Sequence, residues 1–320
     1  MRLGILGAGG FARFMREEIR RVPDIDVVAV ASRSNERANE FDVPHIFDDY
    51  EKMLTSGEID AVYNALSNDL HFPWTMAAVA HGLPVLCEKP MGVRAEEVAL
   101  MLDGAQAAGV PVMEGYWQLF HPKFALVRSL IDSDAIGQVL HINAGFTHMW
   151  DFGGNFRSTT ERGGGMLLDL GCYPMSTALW LREGAHPISA TCLSWNGSVD
   201  NADMHVEASV TLSDDTTLTF TASAQRDPRR WFEVVGTEGT LKVSEPAFSH
   251  HPEAGDGTHV VLDDDDGEQQ WHVPASDPRQ LMLQHFVEVV AGSHSPAISA
   301  HLSLMTAHGL DLVRNSAQSL

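Results

Sequence analysis

Residues 3–12, Leu3-Gly4-Ile5-Leu6-Gly7-Ala8-Gly9-Gly10-Phe11-Ala12, pass from a short apolar run into a glycine-rich turn. Gly7, Gly9 and Ala12 fit G-x-G-x-x-G/A, the pattern that opens a dinucleotide-binding βαβ unit. Gly7 allows the tight turn after a strand, Gly9 lets the backbone approach a pyrophosphate, and Ala12 lets the next helix pack close to the sheet. Gly10 and Phe11 complete the candidate cradle, where helix N–H groups meet phosphate. Glycines also mark ordinary turns. Here a strand-like run precedes the turn and a helical run, Ala12–Arg21, follows it.

Working outward, five apolar runs read as strands: Leu3–Leu6, Val27–Ala31, Ala61–Ala65, Val85–Cys87 and Val110–Met113. Glu36–Phe41, Phe72–Ala80 and Ala95–Ala107 between them have helix-forming composition, and Gly82 and Gly109 stand where helices end. Alternation of this kind predicts an α/β fold with a doubly wound parallel sheet. Its ligand crevice lies at the carboxyl ends of the strands.

Three loops fall at those ends. Ala31-Ser32-Arg33 closes the second strand with no acidic residue between Val27 and Asn35. An acid there would bind a ribose 2′-hydroxyl, whereas Ser32, Arg33 and Arg37 suit a 2′-phosphate, so NADP is expected over NAD. A solvated loop arginine is the plainer reading. Leu66-Ser67-Asn68 with His71 follows the third strand, where Asn68 would also serve simply as a helix cap. Glu88-Lys89-Pro90 follows the fourth; Lys89 there can polarise a substrate oxygen, although a loop ion pair is commonly structural.

Beyond His121-Pro122 and a helix over Lys123–Ile131 the pattern turns strand-like. Val139–Thr147, Ile188–Trp195, His205–Leu212, Thr216–Ala222, Trp231–Val235 and Thr240–Val243 are expected to build a mostly antiparallel sheet. His259–Leu262 pairs with Gln270–Val273, and Pro278–Ser316 forms a final helical region. The expected division is residues 1–122, binding a dinucleotide, and residues 123–320, binding substrate. Asp263–Asp266 lack the spacing of a calcium loop and read as a solvated hairpin tip, and His250-His251 need no shared metal; no metal site is expected. Gly163-Gly164-Gly165, leading into Met166–Leu181, would let backbone approach a ligand closely. Asp169 and Tyr173 lie four residues apart on one helical face. A tyrosine beside a nicotinamide relays a proton as hydride moves; taken alone, a buried Tyr bonded to a structural Asp is the commoner arrangement.

Composition narrows the class. The 320 residues carry a formal net charge of −22, which opposes nucleic acid and anionic membrane as partners. No apolar run approaches a membrane span of roughly 18 residues. Met1–Leu6 runs directly into the first strand, leaving no room for a signal peptide. Cys87, Cys172 and Cys192 form no framework, so a cytoplasmic location is expected.

In combination these motifs resemble the glucose–fructose oxidoreductase / inositol dehydrogenase (Gfo/Idh/MocA) family over nearly the whole chain. The glycine turn, Glu88-Lys89-Pro90, Met113-Glu114-Gly115-Tyr116 to His121-Pro122, Gly163 to Tyr173, and Gly236-Thr237-Glu238-Gly239-Thr240 match its ordered pattern. The resemblance implies a Rossmann domain followed by an open antiparallel sheet that joins homodimers or homotetramers. It makes Lys89 the active-site lysine, Tyr173 the proton donor or acceptor, and Asp169 a substrate-binding or Tyr-orienting group. It also implies a cis Lys89–Pro90 bond. Tyr173 in place of His is similar to the branch holding dimeric dihydrodiol dehydrogenase and NADP-dependent xylose dehydrogenase. Leu119 departs from the family's frequent Arg.

The expected activity is NAD(P)-dependent hydride transfer on a hydroxyl or ketone carbon of a sugar, polyol or diol. Trp150, Arg157 and Asp169 are the candidate substrate contacts. The competing expectations are a non-catalytic dinucleotide-dependent sensor or co-regulator, and a redox-assisted glycosidase that retains NAD.

Overall fold

The computed structural model describes residues 1–197, 202–248 and 257–317; His250-His251 lie outside them. The chain divides into two compact units, each discontinuous in sequence. One comprises Met1–Tyr116 with Arg279–Leu304, the other Trp117–Pro278 with Met305–Leu320.

The first unit runs β1 (Arg2–Leu6), α1 (Gly10–Arg20), β2 (Asp26–Ala31), α2 (Asn35–Asn39), β3 (His45–Phe47), α3 (Tyr50–Leu54), β4 (Ala61–Asn64), α4 (His71–Ala80), β5 (Val85–Cys87), α5 (Ala95–Ala108) and β6 (Val112–Glu114). Its six strands are all parallel in the order β3-β2-β1-β4-β5-β6. Order reverses between β1 and β4, which sets the ligand crevice at their carboxyl ends. Leu3, Ile5, Val30, Val62 and Leu86 are buried. Burial on both faces is why these strands read as unbroken apolar runs. All five expected strands are present. β3 and α3 were not expected: β3 is three half-exposed or exposed residues at the sheet edge, and α3 is a five-residue helix capped by Asp49, whose carboxylate accepts from the N–H groups of Glu51 and Lys52. Gly82 and Gly109 take positive φ after α4 and α5, as expected of helix ends.

The second unit holds α6 (Pro122–Asp132), β7 (Val139–Met149), α7 (Cys172–Leu181), β8 (Pro187–Gly197), β9 (Asp203–Leu212), β10 (Thr217–Ser223), β11 (Gln225–Gly236), β12 (Gly239–Val243), β13 (Thr258–Asp264) and β14 (Gly267–Val273). The sheet order is β14-β13-β12-β11-β7-β10-β9-β8, antiparallel throughout except for the parallel β7–β10 pair. Ala144, Phe146, Phe220, Phe232 and Val234 face the core with Phe124 and Phe248. Phe146 and Phe248 stack at 6.2 Å and 6°. On the opposite face, Trp231 lies across Gly145, where any Cβ would come 2.2 Å from its ring. The final helical region is two helices, α8 (Pro278–Val290) and α9 (Ala300–Ala317). Among the described residues no helix is long and apolar enough to cross a membrane, and no group of three metal-ligating side chains is present.

Candidate active site

In the first unit the nucleotide turn is built by backbone geometry. Gly7 adopts φ +98°, and a Cβ there would come 3.0 Å from Ala65 O, so glycine is required. Its N–H donates to Ala31 O at 2.9 Å, tying the ends of β1 and β2 together. Gly9 and Gly10, at the start of α1, have no atom within 4 Å of where a Cβ would stand. No side chain caps α1, and its first turn carries no acid. Phe11 is exposed beside this opening, while Ala12 is buried against the sheet. A helix start of this kind, uncapped and sterically open, fits a diphosphate.

At the end of β2 the Ser32 N–H donates to Phe47 O (3.0 Å), and its Oγ accepts from Ser34 N–H (3.1 Å). Ser34 in turn caps α2 at Arg37 N. Arg33 and Arg37 are exposed. The Arg33 guanidinium interacts electrostatically with the Tyr50 hydroxyl, and the Tyr50 ring packs edge-on against Trp74 at 4.8 Å. The turn therefore presents Arg33 with no carboxylate between Val27 and Asn35, and Arg37 follows on α2 beside Glu36.

The loops after β4 and β5 are clamped by side chains. Buried Asn64 donates to His71 O and Thr75 Oγ1 (3.2 Å each), and its Oδ1 accepts from Leu66 N–H. The His71 imidazole lies between Pro90 O (2.8 Å) and Leu66 O (3.1 Å), which joins the two loops. Burial lowers its pKa. Ser67 and Asn68 are buried at a 3-10 turn, Asn68–Leu70. Asn68 is not the cap of α4, because the intervening turn takes it away from the helix start and no side chain caps that helix. Lys89–Pro90 is cis, as the family resemblance implied. Glu88 is buried and accepts from the Tyr63 hydroxyl at 2.6 Å; burial raises its pKa, while the charges of Lys89 and Arg279 favour its ionised form. Glu114 accepts from Met91 N–H at 2.7 Å, and burial pushes its carboxyl up to about 7.

In the second unit a π-helical turn, Leu167–Gly171, feeds directly into α7. Two of the glycines before it answer to the chain's own packing. A Cβ on Gly164 would lie 2.4 Å from Phe156 O. One on Gly165, at φ +110°, would lie 2.0 Å from the Asp203 carboxylate. Asp203, buried at the start of β9, accepts from Leu167 N–H at 2.6 Å and so anchors the beginning of the helical run. Burial pushes its carboxyl up to about 7.

Tyr173 is buried, and its oxygen accepts from Trp117 Nε1 at 3.2 Å, the rings meeting edge-on. Phe146 and Phe248 flank the phenol at 5.4 and 5.9 Å between centroids. Asp169 accepts from Arg157 Nε at 2.9 Å, and Arg157 lies over the rings of Phe156 and Phe152. Trp150 stacks on His148 at 4.1 Å and touches Phe152 and Phe146. Tyr173, Asp169, Arg157 and Trp150, four side chains singled out from sequence, therefore belong to one continuous cluster. Trp117, Asp203 and Arg230 were missed. Arg230 had a signal: two residues before buried Phe232 and four before Val234, it shares their face of β11.

Known proteins match both units. Residues 1–116 match an oxidoreductase family with a NAD-binding Rossmann fold, and residues 124–242 match the GFO/IDH/MocA C-terminal domain. A D-xylose 1-dehydrogenase (NADP(+)) of Haloferax volcanii is 27% identical, covering 100% of this chain and 98% of the relative. The dTDP-3,4-didehydro-2,6-dideoxy-alpha-D-glucose 3-reductase of Streptomyces violaceoruber is 30% identical over 91% of this chain and 85% of its own. The crystal structure of KijD10, a 3-ketoreductase from Actinomadura kijaniata in complex with NADP and TDP-benzene, superposes with a TM-score of 0.90 at 26% identity, covering 99% of this chain and 97% of that one. With a Rossmann unit whose helix start is open to a diphosphate and a second unit that presents a Trp-held tyrosine, the chain belongs to the Gfo/Idh/MocA family of oxidoreductases.

Proposed function

We propose that the protein is an NADP-preferring oxidoreductase acting on a hydroxyl or ketone carbon of a sugar, polyol or diol. The observation that carries this reading is the phenol of Tyr173, held by Trp117 in the cluster that also contains the Arg157–Asp169 pair. Relatives named as an NADP-linked xylose dehydrogenase and a deoxysugar 3-reductase support it.

A bound nicotinamide supplies or accepts the hydride. Tyr173 moves the proton: Trp117 donates to its oxygen, so that bond does not spend the hydroxyl hydrogen, which passes to the substrate oxygen on reduction. Lys89, the active-site lysine by family resemblance, polarises the substrate oxygen. Asp169, Arg157 and Trp150 receive the substrate's hydroxyls and apolar face. Gly7, Gly9, Gly10, Phe11 and Ala12 hold the diphosphate, and Ser32, Arg33 and Arg37 the 2′-phosphate. Leu66, Ser67, Asn68 and Glu88 border the nucleotide, with His71 holding their loops in place. Dinucleotide binding is assigned to residues 1–122, substrate binding and self-association to 123–320. The three cysteines are free and buried, which suits a cytoplasmic location, and the open sheet face suits a homodimer or homotetramer.

NADPH oxidation and NADP+ reduction over a panel of aldoses, ketosugars and diols test the reading. Turnover is expected with at least one substrate, and Tyr173→Phe and Lys89→Met should each abolish most of it. Wild-type turnover in both variants would overturn the mechanism. Tight nucleotide binding without redox would favour a sensor, and glycoside cleavage without net cofactor turnover a glycosidase.

A further inference from the structure

Strand β11 carries two adjacent arginines with opposite fates. Arg229 faces outward, pairs with Glu245 at 2.5 Å and covers Trp231. Arg230 turns inward, half-buried, with its guanidinium 4.7 Å from the centroid of Phe146. The other face of this contact chain is Tyr173, whose ring lies 5.4 Å from that of Phe146. The guanidinium and the phenol interact electrostatically. Elsewhere in the unit Arg128, Arg157, Arg182 and Arg314 are matched with Glu183, Asp169, Asp214 and Asp311. Among the described residues no carboxylate is matched with Arg230. The Trp117 N–H donates directly to the phenol oxygen.

We propose that Arg230 is a positioning residue acting through Tyr173: with the Trp117 N–H, its guanidinium stabilises the phenolate left when Tyr173 gives up its proton, and so sets the pH range of the reaction. The inference rests on Tyr173 being the proton carrier. In reduction, the hydride reaches the carbonyl carbon and the C=O π pair moves onto oxygen. The Tyr173 O–H bond breaks as an O–H bond forms on the substrate. The substrate is reduced, the nicotinamide is oxidised, and one negative charge remains on Tyr173 Oη until water reprotonates it. Oxidation runs the same steps backward and needs the phenolate at the start. Of the other groups around the phenol in this unit, Trp117, Phe146 and Phe248 do not titrate in the working range, and Asp169, on the same helical run as Tyr173, is paired with Arg157 from the turn Phe156–Ser158 so that the two are neutral overall.

The chain has four tyrosines, and Tyr50, Tyr63 and Tyr116 are buried, the first two with raised pKa. Near-ultraviolet phenolate titration, taken as the difference from Tyr173→Phe, isolates the Tyr173 signal. Arg230→Met should raise its pKa by about one unit or more, as expected for losing a neighbouring cation. Arg230→Gln should do the same, and Arg230→Lys should restore most of the original value. The acid limb of kcat for alcohol oxidation should move up equally, with KM little changed, so that the Met variant is roughly tenfold slower below the limb and recovers above it. A Tyr173 titration unmoved in folded Met and Gln variants would overturn the proposal. So would a raised KM with an unmoved pH profile, which would make Arg230 a contact for substrate. Wild-type turnover by Tyr173→Phe would instead sink the proton-carrier reading, while leaving the optical titration intact.

Discussion

Arg33 is exposed at the end of β2, within electrostatic reach of the Tyr50 hydroxyl, with no acid between Val27 and Asn35. Its removal in Arg33→Ala should weaken NADP by roughly tenfold or more, since a hydrogen bond to a charged group is worth about 1.5–3 kcal/mol. NAD, lacking the 2′-phosphate, should bind nearly as before. Ser32→Asp should repel NADP and give NAD a ribose partner, and Tyr50→Phe should cause a smaller loss of the same sign as Arg33→Ala. Dissociation constants for both nucleotides check this; an unchanged NADP constant for Arg33→Ala would make Arg33 a solvated surface residue. The place of Arg33, exposed just past the end of β2, was legible because the strand before it is an unbroken apolar run. Trp117 and Asp203 were not, because each acts on a partner far along the chain: Trp117 on Tyr173, and Asp203 on Leu167.

The run from Gly163 to Leu181 shows what a motif does and does not disclose about an element. Its sequence marked a helix bearing Asp169 and Tyr173, and α7 is there. The π-helical turn before it and the Asp203 anchor were invisible, since both follow from β9 lying beside the helix start. Gly165 is the tightest point, with φ +110° and the Asp203 oxygen 2.0 Å from any added Cβ. Gly165→Ala must therefore displace either the carboxylate or the backbone. Such strain at a special backbone position should cost about 3 kcal/mol or more and lower the denaturation midpoint. Gly9→Ala, where a Cβ meets open space, should leave stability nearly unchanged while impairing nucleotide binding. Equal stability losses in the two variants would contradict this account. The alternation of β7 and β10–β13 was legible for the opposite reason, because one buried face imposes a period of two wherever it occurs. β3 left no such trace, being three residues at an edge.

At the scale of the whole molecule, each unit holds one buried carboxyl pushed up to about 7, Glu114 in the first and Asp203 in the second. The unfolded chain releases these protons near pH 4, the folded protein near 7. Both groups thus contribute stability that is complete below about pH 4, declines as pH climbs toward 7 and is flat beyond. Urea midpoints should fall between pH 5 and pH 8, and Glu114→Gln and Asp203→Asn should flatten that fall, by roughly 3 kcal/mol for each group. A midpoint rising over this range would contradict the burial of both. The net charge of −22 adds a second expectation: moderate salt screens self-repulsion and should raise the melting temperature. Sheet order carries a further consequence, for synthesis. β7 lies between β10 and β11, both made later, and roughly seventy residues separate the end of β7 from the start of β10. At about 5–20 residues per second on the ribosome, β7 waits several seconds with both edges unpaired. The first unit waits longer, since Arg279–Leu304 are translated roughly 160 residues after Tyr116. Soluble yield should therefore improve when holding chaperones are plentiful and fall when translation is slowed, because the first unit is completed only by a stretch made after the whole sheet of the second.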